Sequence, residues 1–404
     1  MSRYEMGPAE DALSTVLRVA RPLPAERIAT AVADGRVLAE DLHSPENVPP
    51  FRASTVDGFA VIAADEAPER VVIEHITAGV VGTPRIVPGT AARIMTGAPL
   101  PEGADAVVMI EDTHQSDGRV EIARPARPGD NIRPIGVDVA QGDLLLSTGA
   151  VLGAAEIGLL MTLGFTEISC YRRPTVAVLS TGDEIVEPGE PVPPGAIRDS
   201  NRYALMAAVH EAGGIPESLG QVRDDRILQR DAVRDGVQRA DVLVTSGGVS
   251  VGDRDFIKPV LEELGRIHFG RIAFRPGMPL TFAEINDHLV FGLPGNPVSS
   301  LVTFEVFVRP ALRIMQGDPH PLRPRVEVEL AHDFRRGGNR VEYHRVVVRW
   351  ADGRLVAQST GLQISSRLLS MAGHNGLAVI EMGEGVLPAG STVKVILTGP
   401  IFSD

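Results

Sequence analysis

The stretch Ser246-Gly-Gly-Val-Ser-Val-Gly-Asp-Arg-Asp255 gathers small residues, hydroxyls and carboxylates behind an apolar run, Ala240-Asp-Val-Leu-Val-Thr245. The sequence beyond it predicts a helix through Leu264. In an α/β protein this order builds an anion site, because small residues let backbone N–H groups approach a phosphate where a helix begins. Ser246, Gly247, Gly248, Ser250 and Gly252 are the candidate loop residues. Lys258 follows them. The chain has 39 Lys plus Arg, yet only Lys258 and Lys394 are lysines. A compact ammonium beside a glycine loop suits a phosphate oxygen, and an ordinary surface position is the alternative.

Carboxylates surround this loop. Asp183 and Glu184 lie in Ser180–Glu184, Asp253 and Asp255 in the glycine loop, and Asp224 and Asp225 between the two. Such a set suits Mg²⁺, a hard cation that takes oxygen ligands and bridges to phosphate. For Asp183 or Asp255 alone, capping of a helix start fits equally well. Arg271-Ile-Ala-Phe-Arg275 is expected to put two arginines on one face of a short strand, a spacing suited to a tetrahedral oxyanion or to a solvated edge. Pro294 and Pro297 bracket Gly295-Asn296 in a rigid turn. The single cysteine, Cys170, and the scattered ten histidines exclude a zinc site of the usual spacing and any internal disulfide.

The elements that must position these residues follow from pattern. A chain of 404 residues needs more than one core, so two to four domains are expected. A helix is expected over 8–20, and short strands at Arg70–His75, Arg93–Met95, Ala106–Glu111 and Val120–Ala123 predict a small β-rich domain. Ala154–Leu163 predicts a helix. From Pro174 the pattern becomes α/β: strand Thr175–Leu179, helix Arg202–Ala212 capped by Ser200 or Asn201, strand Asp241–Thr245, strand Leu289–Gly292 and helix Val298–Met315. Strands Arg325–Leu330, Arg345–Trp350 and Thr392–Leu397 suggest a C-terminal barrel or sandwich. Loops Ser180–Glu184, Ser246–Asp255 and Leu293–Pro297 each follow a strand, so a parallel sheet brings all three to its carboxyl edge, where open α/β folds bind ligands. Net charge −13 argues against a nucleic-acid or anionic-membrane partner. No signal peptide is visible, and the apolar stretch near Val151–Phe165 is too short to span a bilayer, so a soluble, cytoplasmic protein is expected.

The motifs also resemble a known family. Gly35–Glu40, Val48-Pro-Pro-Phe51, Val56-Asp-Gly-Phe-Ala-Val61, Arg93-Ile-Met-Thr-Gly-Ala-Pro99 through Val107, Asn131-Ile-Arg-Pro134 with Gly136 and Asp138, Leu179-Ser-Thr-Gly-Asp-Glu184, Ser246–Asp255 and Gly292–Ser299 occur in the order seen in the molybdopterin molybdenumtransferases. These are the MoeA type, shared with the E domain of gephyrin. The resemblance covers nearly the whole chain. It implies a multidomain α/β protein: a helical and extended linker and dimerisation domain (1–43 plus 139–173), a small β-rich insertion domain (44–138), a central doubly wound molybdopterin-binding domain (174–318) and a C-terminal β-barrel (319–404). It implies a transferase that inserts molybdate into adenylylated molybdopterin and releases AMP with Mg²⁺, the last step of molybdenum cofactor biosynthesis.

Residue by residue, the resemblance implies catalytic roles for Asp57, Thr96, Glu184, Asp224 and Asp255, the last three also holding the metal. It implies substrate contacts from Arg133, Asp138, Thr181, Gly182, Asp183, the glycine-loop residues, Lys258, Arg271, Arg275, Pro294, Pro297, Arg340 and Ser365. A homodimer is implied, with Asp57 and Thr96 completing a cleft on the other subunit, and an upstream adenylyltransferase is a possible partner. One departure stands out. Family members often carry Lys-Pro-Gly-Lys-Pro where this chain has Arg275-Pro-Gly-Met278-Pro, and one lost charge near a dianion costs on the order of 1–3 kcal/mol. Two other readings compete. An adenylyltransferase-like relative usually shows Gly-Gly-Thr-Gly where this chain has Gly247-Gly-Val-Ser250, and lacks the flanking β domains. A binding scaffold with weak or no molybdate insertion draws only on Met278.

Overall fold

The computed structural model describes residues 5–249 and 256–403. The chain forms two compact units, one of residues Glu40–Thr148 and Ala154–Thr166, the other of Met1–Ala39, Gly149–Gly153 and Glu167–Asp404.

The smaller unit is built on a six-stranded sheet in the order Ala106–Met109, Gly58–Val61, Thr90–Ile94, Glu69–Ile76, Arg119–Ile122, Thr113–Ser116. All neighbours are antiparallel except Glu69–Ile76 beside Thr90–Ile94. Both faces are packed. Ile76, Ile86, Ile94 and Val107 form one core and Phe59, Val61, Val108 and Val120 the other. This explains why Gly58–Val61 is buried at every position rather than alternating. All four strands expected here form, with ends shifted by up to three residues.

In the larger unit a six-stranded sheet runs Ile215–Val222, Thr175–Thr181, Val242–Ser246, His288–Leu293, Thr281–Ile285, Arg266–Phe269. The first four strands are parallel and the last two antiparallel. Period-two alternation feeds two cores. Val176, Val178, Val242 and Val244 meet Leu205, Val209, Val298 and Val302 on one face. Ala177, Leu179, Leu243 and Val290 meet Val233, Val237, Val260 and Leu261 on the other. Helices on both faces make the fold doubly wound, as expected.

Three details differ from expectation. The helix Asn201–Glu211 is capped by neither Ser200 nor Asn201; Asp199 Oδ1 accepts the Arg202 N–H at 3.1 Å. The expected helix Val298–Met315 comprises Pro297–Thr303, a π-helical stretch Phe304–Val308, and Arg309–Met315. Pro310 offers no N–H to the preceding turn, and the wider π turn accommodates it. Thr281–Ile285 and His288–Leu293 pair through Asn286 (φ 48°) and Asp287 (φ 68°), residue types that tolerate the positive φ required by a type I′ hairpin.

The C-terminal segment closes into a barrel. Val341–Ala351 pairs with Arg354–Ser359, which pairs with Arg325–Leu330, then Thr392–Leu397, then Gly376–Ile380, which returns to Val341–Ala351. Val328, Val346, Val348, Ala378 and Val395 fill it. Of the expected strand around Arg271–Arg275, only Phe274–Arg275 forms, added in parallel to Val341–Glu342. Among the described residues no helix is long and apolar enough to cross a membrane.

Candidate functional site

The carboxyl ends of the parallel strands open into a cleft of about 620 Å³. Strand Thr175–Thr181 delivers Thr181, Gly182 and Glu184 to it. Strand Val242–Ser246 delivers Ser246, Gly247 and Gly248, and His288–Leu293 delivers Pro294 through Pro297. Asp224, just beyond strand Ile215–Val222, lines the same space. The expected meeting of three loops at one edge is therefore present. Their approach is close: Gly247 N–H donates to Leu293 O at 3.1 Å, and the Thr181 hydroxyl to Ser246 O at 3.4 Å. Gly247 takes φ 93°, and a Cβ there would stand 2.6 Å from Thr181 O, so both backbone shape and space require glycine.

The carboxylates are arranged in tiers. Glu184 and Asp224 line the cleft. Asp183 Oδ1 accepts the Asp224 N–H at 3.3 Å, and buried Gln229 donates Nε2 to Asp224 Oδ1 at 3.2 Å. Asp225 is a helix cap, accepting from Ile227 and Leu228 N–H. Among the described residues no three carboxylates or histidines stand close enough to cage a metal. Glu184 and Asp224 nonetheless fit Mg²⁺, which keeps several waters and binds through one or two carboxylates plus substrate phosphate oxygens. Ser250, Gly252, Asp253 and Asp255 lie outside the described residues.

Lys258 sits on helix Ile257–Leu264, and its ammonium donates to Gly270 O at 2.9 Å. The two arginines of 271–275 do not share a face. Arg271 Nη2 donates to the Met278 sulfur at 3.6 Å, whereas Arg275 pairs with Glu342 at 2.6 Å. Arg340 Nη1 reaches Met278 Sδ at 3.9 Å. Ser365 accepts the Val298 N–H on its backbone carbonyl, and its neighbour Ser366 lines the cleft beside Pro279.

In the smaller unit, Asp57 Oδ1 accepts both the Thr96 N–H (2.8 Å) and the Thr96 hydroxyl (2.9 Å). These two bonds, with a further contribution from Arg93, hold the Asp57 carboxyl below its ordinary range. Asp41 and Thr148 repeat the same pair of bonds at 2.7 and 2.9 Å, so the geometry also serves as a plain loop tie. Arg133 and Asp138 pair with each other.

Some lining residues carry no sequence signal of function. Arg198, Asp199, Ser200 and Asn201 form one wall of the cleft, yet as a string they read only as a helix start. A second cleft of about 360 Å³ beside the barrel is lined by Arg275, Arg335, Arg336, His344 and Arg345, with Glu342 the one carboxylate. Arg345 is buried, donates to Ser370 Oγ at 3.2 Å, and is pushed down to about 10 by that burial.

Comparison with known proteins agrees with this architecture. Family models match residues 8–164 (MoeA N-terminal region, domains I and II), 177–314 (probable molybdopterin binding domain) and 327–398 (MoeA C-terminal region, domain IV). The molybdopterin molybdenumtransferase of Bacillus subtilis is 37% identical over 96% of this chain and 94% of its own length. Gephyrin of Dictyostelium discoideum is 36% identical over 99% of this chain, which spans 63% of that protein. The crystal structure of a molybdopterin biosynthesis MoeA protein from Pyrococcus horikosii superposes with a TM-score of 0.85 at 34% identity, covering 98% of this chain and all of the other. With three family models in register along one chain and full-length relatives above 30% identity, the protein belongs to the MoeA family.

Proposed function

We propose that this protein is a molybdopterin molybdenumtransferase, which inserts molybdate into adenylylated molybdopterin and releases AMP. Full-length relatives carrying that name support the reading. The observation that carries it is the convergence of the Gly247–Gly248 turn with Glu184 and Asp224 in one cleft. Gly247 spends its N–H on Leu293 O, the bare backbone of the turn lets a phosphate come close without side-chain obstruction, and the two carboxylates face the same space. Glu184 and Asp224, with Asp255, would hold Mg²⁺, which when bound offsets the charge gathering on the departing AMP. Thr181, Gly182 and Asp183 are substrate contacts in this reading, and Asp183 also accepts the Asp224 N–H. Arg271 and Arg340, converging on Met278, supply positive charge for the molybdate dianion, and Pro294 and Pro297 stiffen the turn that lines the cleft.

Asp57, Thr96, Arg133 and Asp138 are the substrate-handling residues of the smaller unit in this reading. The four-domain division at 43/44, 138/139, 173/174 and 318/319 belongs to it, and the breaks between family models, after 164 and after 314, support its last two boundaries. A cytoplasmic homodimer fed by an upstream adenylyltransferase completes the proposal. Helix Ala154–Thr162 supports the dimer, since Leu160 is its one fully buried residue and Met161 is 46% exposed.

The test is AMP release by purified protein given adenylylated molybdopterin, Mg²⁺ and a molybdate titration. Saturable, molybdate-dependent release is expected. Tight nucleotide binding without release overturns the transferase in favour of a scaffold.

A further inference from the structure

Asn201 opens helix Asn201–Glu211, but its side chain reaches across the cleft. Nδ2 lies 2.7 Å from Ser246 Oγ and 2.7 Å from Gly295 O. A carbonyl oxygen only accepts, so the contact with Gly295 fixes the amide orientation with nitrogen toward both partners. Ser246 is the last residue before the glycine turn, and Gly295 lies in the Pro294–Pro297 turn. One side-chain amide thus uses its two protons to tie two of the three loops together.

Its base is held firmly. Asp199, 2% exposed, accepts from the Ser180 hydroxyl at 3.0 Å and from the Arg202 N–H at 3.1 Å, and pairs with Arg202 Nε at 3.1 Å. Arg202 continues to Ser218 Oγ and Glu187. Two buried, ion-paired charges that also bond to Ser180, Ser218 and Glu187 leave Asn201 little freedom to move. The loops must therefore conform to Asn201, rather than the reverse.

We infer that Asn201 is a positioning residue for the proposed transfer: its paired N–H groups set the separation between the glycine turn and the Pro294–Pro297 turn. The inference rests on the transferase reading: the two turns pack directly on each other, and their fixed spacing matters only if substrate lies across both. Losing both bonds leaves the Gly247 N–H to Leu293 O bond to hold the turns, so they loosen, which weakens the grip on the nucleotide end before it affects the reacting end.

The experiment compares wild type, Asn201→Ala and Asn201→Asp. Aspartate keeps the shape of asparagine, removes both donors and adds a charge, while alanine removes the donors without a charge, so the donor role requires a loss in both. We expect half-saturation for adenylylated molybdopterin to rise roughly tenfold in both variants, with kcat changed less than threefold. Asn201→Asp behaving as wild type would reduce the residue to packing, and Asn201→Ala with an unchanged half-saturation would remove the role altogether. Calorimetric binding of AMP alone to the same three proteins separates the two proposals. If wild type binds AMP but does not turn over, the transferase reading fails while a roughly tenfold weaker AMP affinity in both variants still upholds Asn201. Equal AMP affinity in all three overturns it. Ser246→Ala, which keeps the Gly295 arm, is expected to show an intermediate loss and guards against a folding defect at position 201.

Discussion

Arg340 Nη1 approaches the Met278 sulfur at 3.9 Å, and Arg271 Nη2 reaches the same atom at 3.6 Å. A thioether is a weak acceptor without charge, so it lets two guanidiniums stand near each other without adding a third cation. The positive charge that a family lysine would bring is therefore partly supplied by neighbours.

Met278→Lys puts an ammonium beside both arginines. Repulsion in the empty site should lower the thermal midpoint, while a bound dianion relieves it, so half-saturating molybdate should fall by up to about tenfold. Both effects are read on one preparation, by thermal melts and by AMP release against molybdate. A requirement that stays the same or rises would remove this account of the departure.

The tie between Asp57 and Thr96 makes a second prediction. Thr96→Val removes the hydroxyl bond and keeps the backbone one, so the Asp57 carboxyl should titrate closer to its ordinary value but still below it. Carbon-detected NMR titration of the aspartates reads this directly, and Asp41, held by Thr148 in the same way, is the internal control. AMP release should fall at least tenfold if the pair is catalytic. Full activity with a shifted titration would make it a loop tie, as at Asp41.

For the proposed Mg²⁺ ligands, Glu184→Gln and Asp224→Asn should each raise the Mg²⁺ concentration needed for half-maximal AMP release about tenfold or more. AMP binding without Mg²⁺ should stay within a few-fold. Asp255→Ala should abolish Mg²⁺-dependent release and leave the oligomer intact. A Mg²⁺ requirement unmoved by all three changes would dissolve the metal assignment.

Much of the cleft was readable from sequence because parallel strands buried on both faces appear as continuous apolar runs. Val242-Leu-Val-Thr-Ser246 is such a run, and the glycine-rich segment after it must be a carboxyl-edge loop. Asn201 was hidden for the opposite reason. An asparagine at a helix start already has an ordinary explanation, and only the folded chain shows its amide turned toward Ser246 and Gly295. The arginine cleft beside the barrel draws on Arg275, the adjacent Arg335 and Arg336, and Arg345 from three segments distant in sequence, so no local spacing betrays it. The hairpin at Asn286-Asp287 did carry a signal, two residues tolerant of positive φ between apolar runs.

At the amino ends of the same strands, Asp241 makes a prediction about stability alone. Arg172 donates to both its oxygens at 2.7 and 2.8 Å, and Thr175 adds its N–H and hydroxyl, each at 2.8 Å. Burial by itself raises the Asp241 carboxyl, but the Arg172 and Thr175 hydrogen bonds outweigh it and leave the group below its ordinary range. A carboxylate whose folded pKa is depressed contributes stability above its unfolded value, about 3.9, and that contribution is lost as pH falls through the folded value. Asp241→Asn keeps the shape, removes the charge and turns one acceptor into a donor facing Arg172 and Thr175. The expected loss at neutral pH is about 1–3 kcal/mol, below that of a fully buried pair because Arg172 is 37% exposed. The gap in thermal midpoint between wild type and variant should narrow below about pH 4. Half-saturation for adenylylated molybdopterin should not move, since the clamp joins the starts of strands whose far ends carry the cleft. A gap constant down to pH 3 would refute the charge argument, and a shifted half-saturation would show that the two ends of the sheet are coupled.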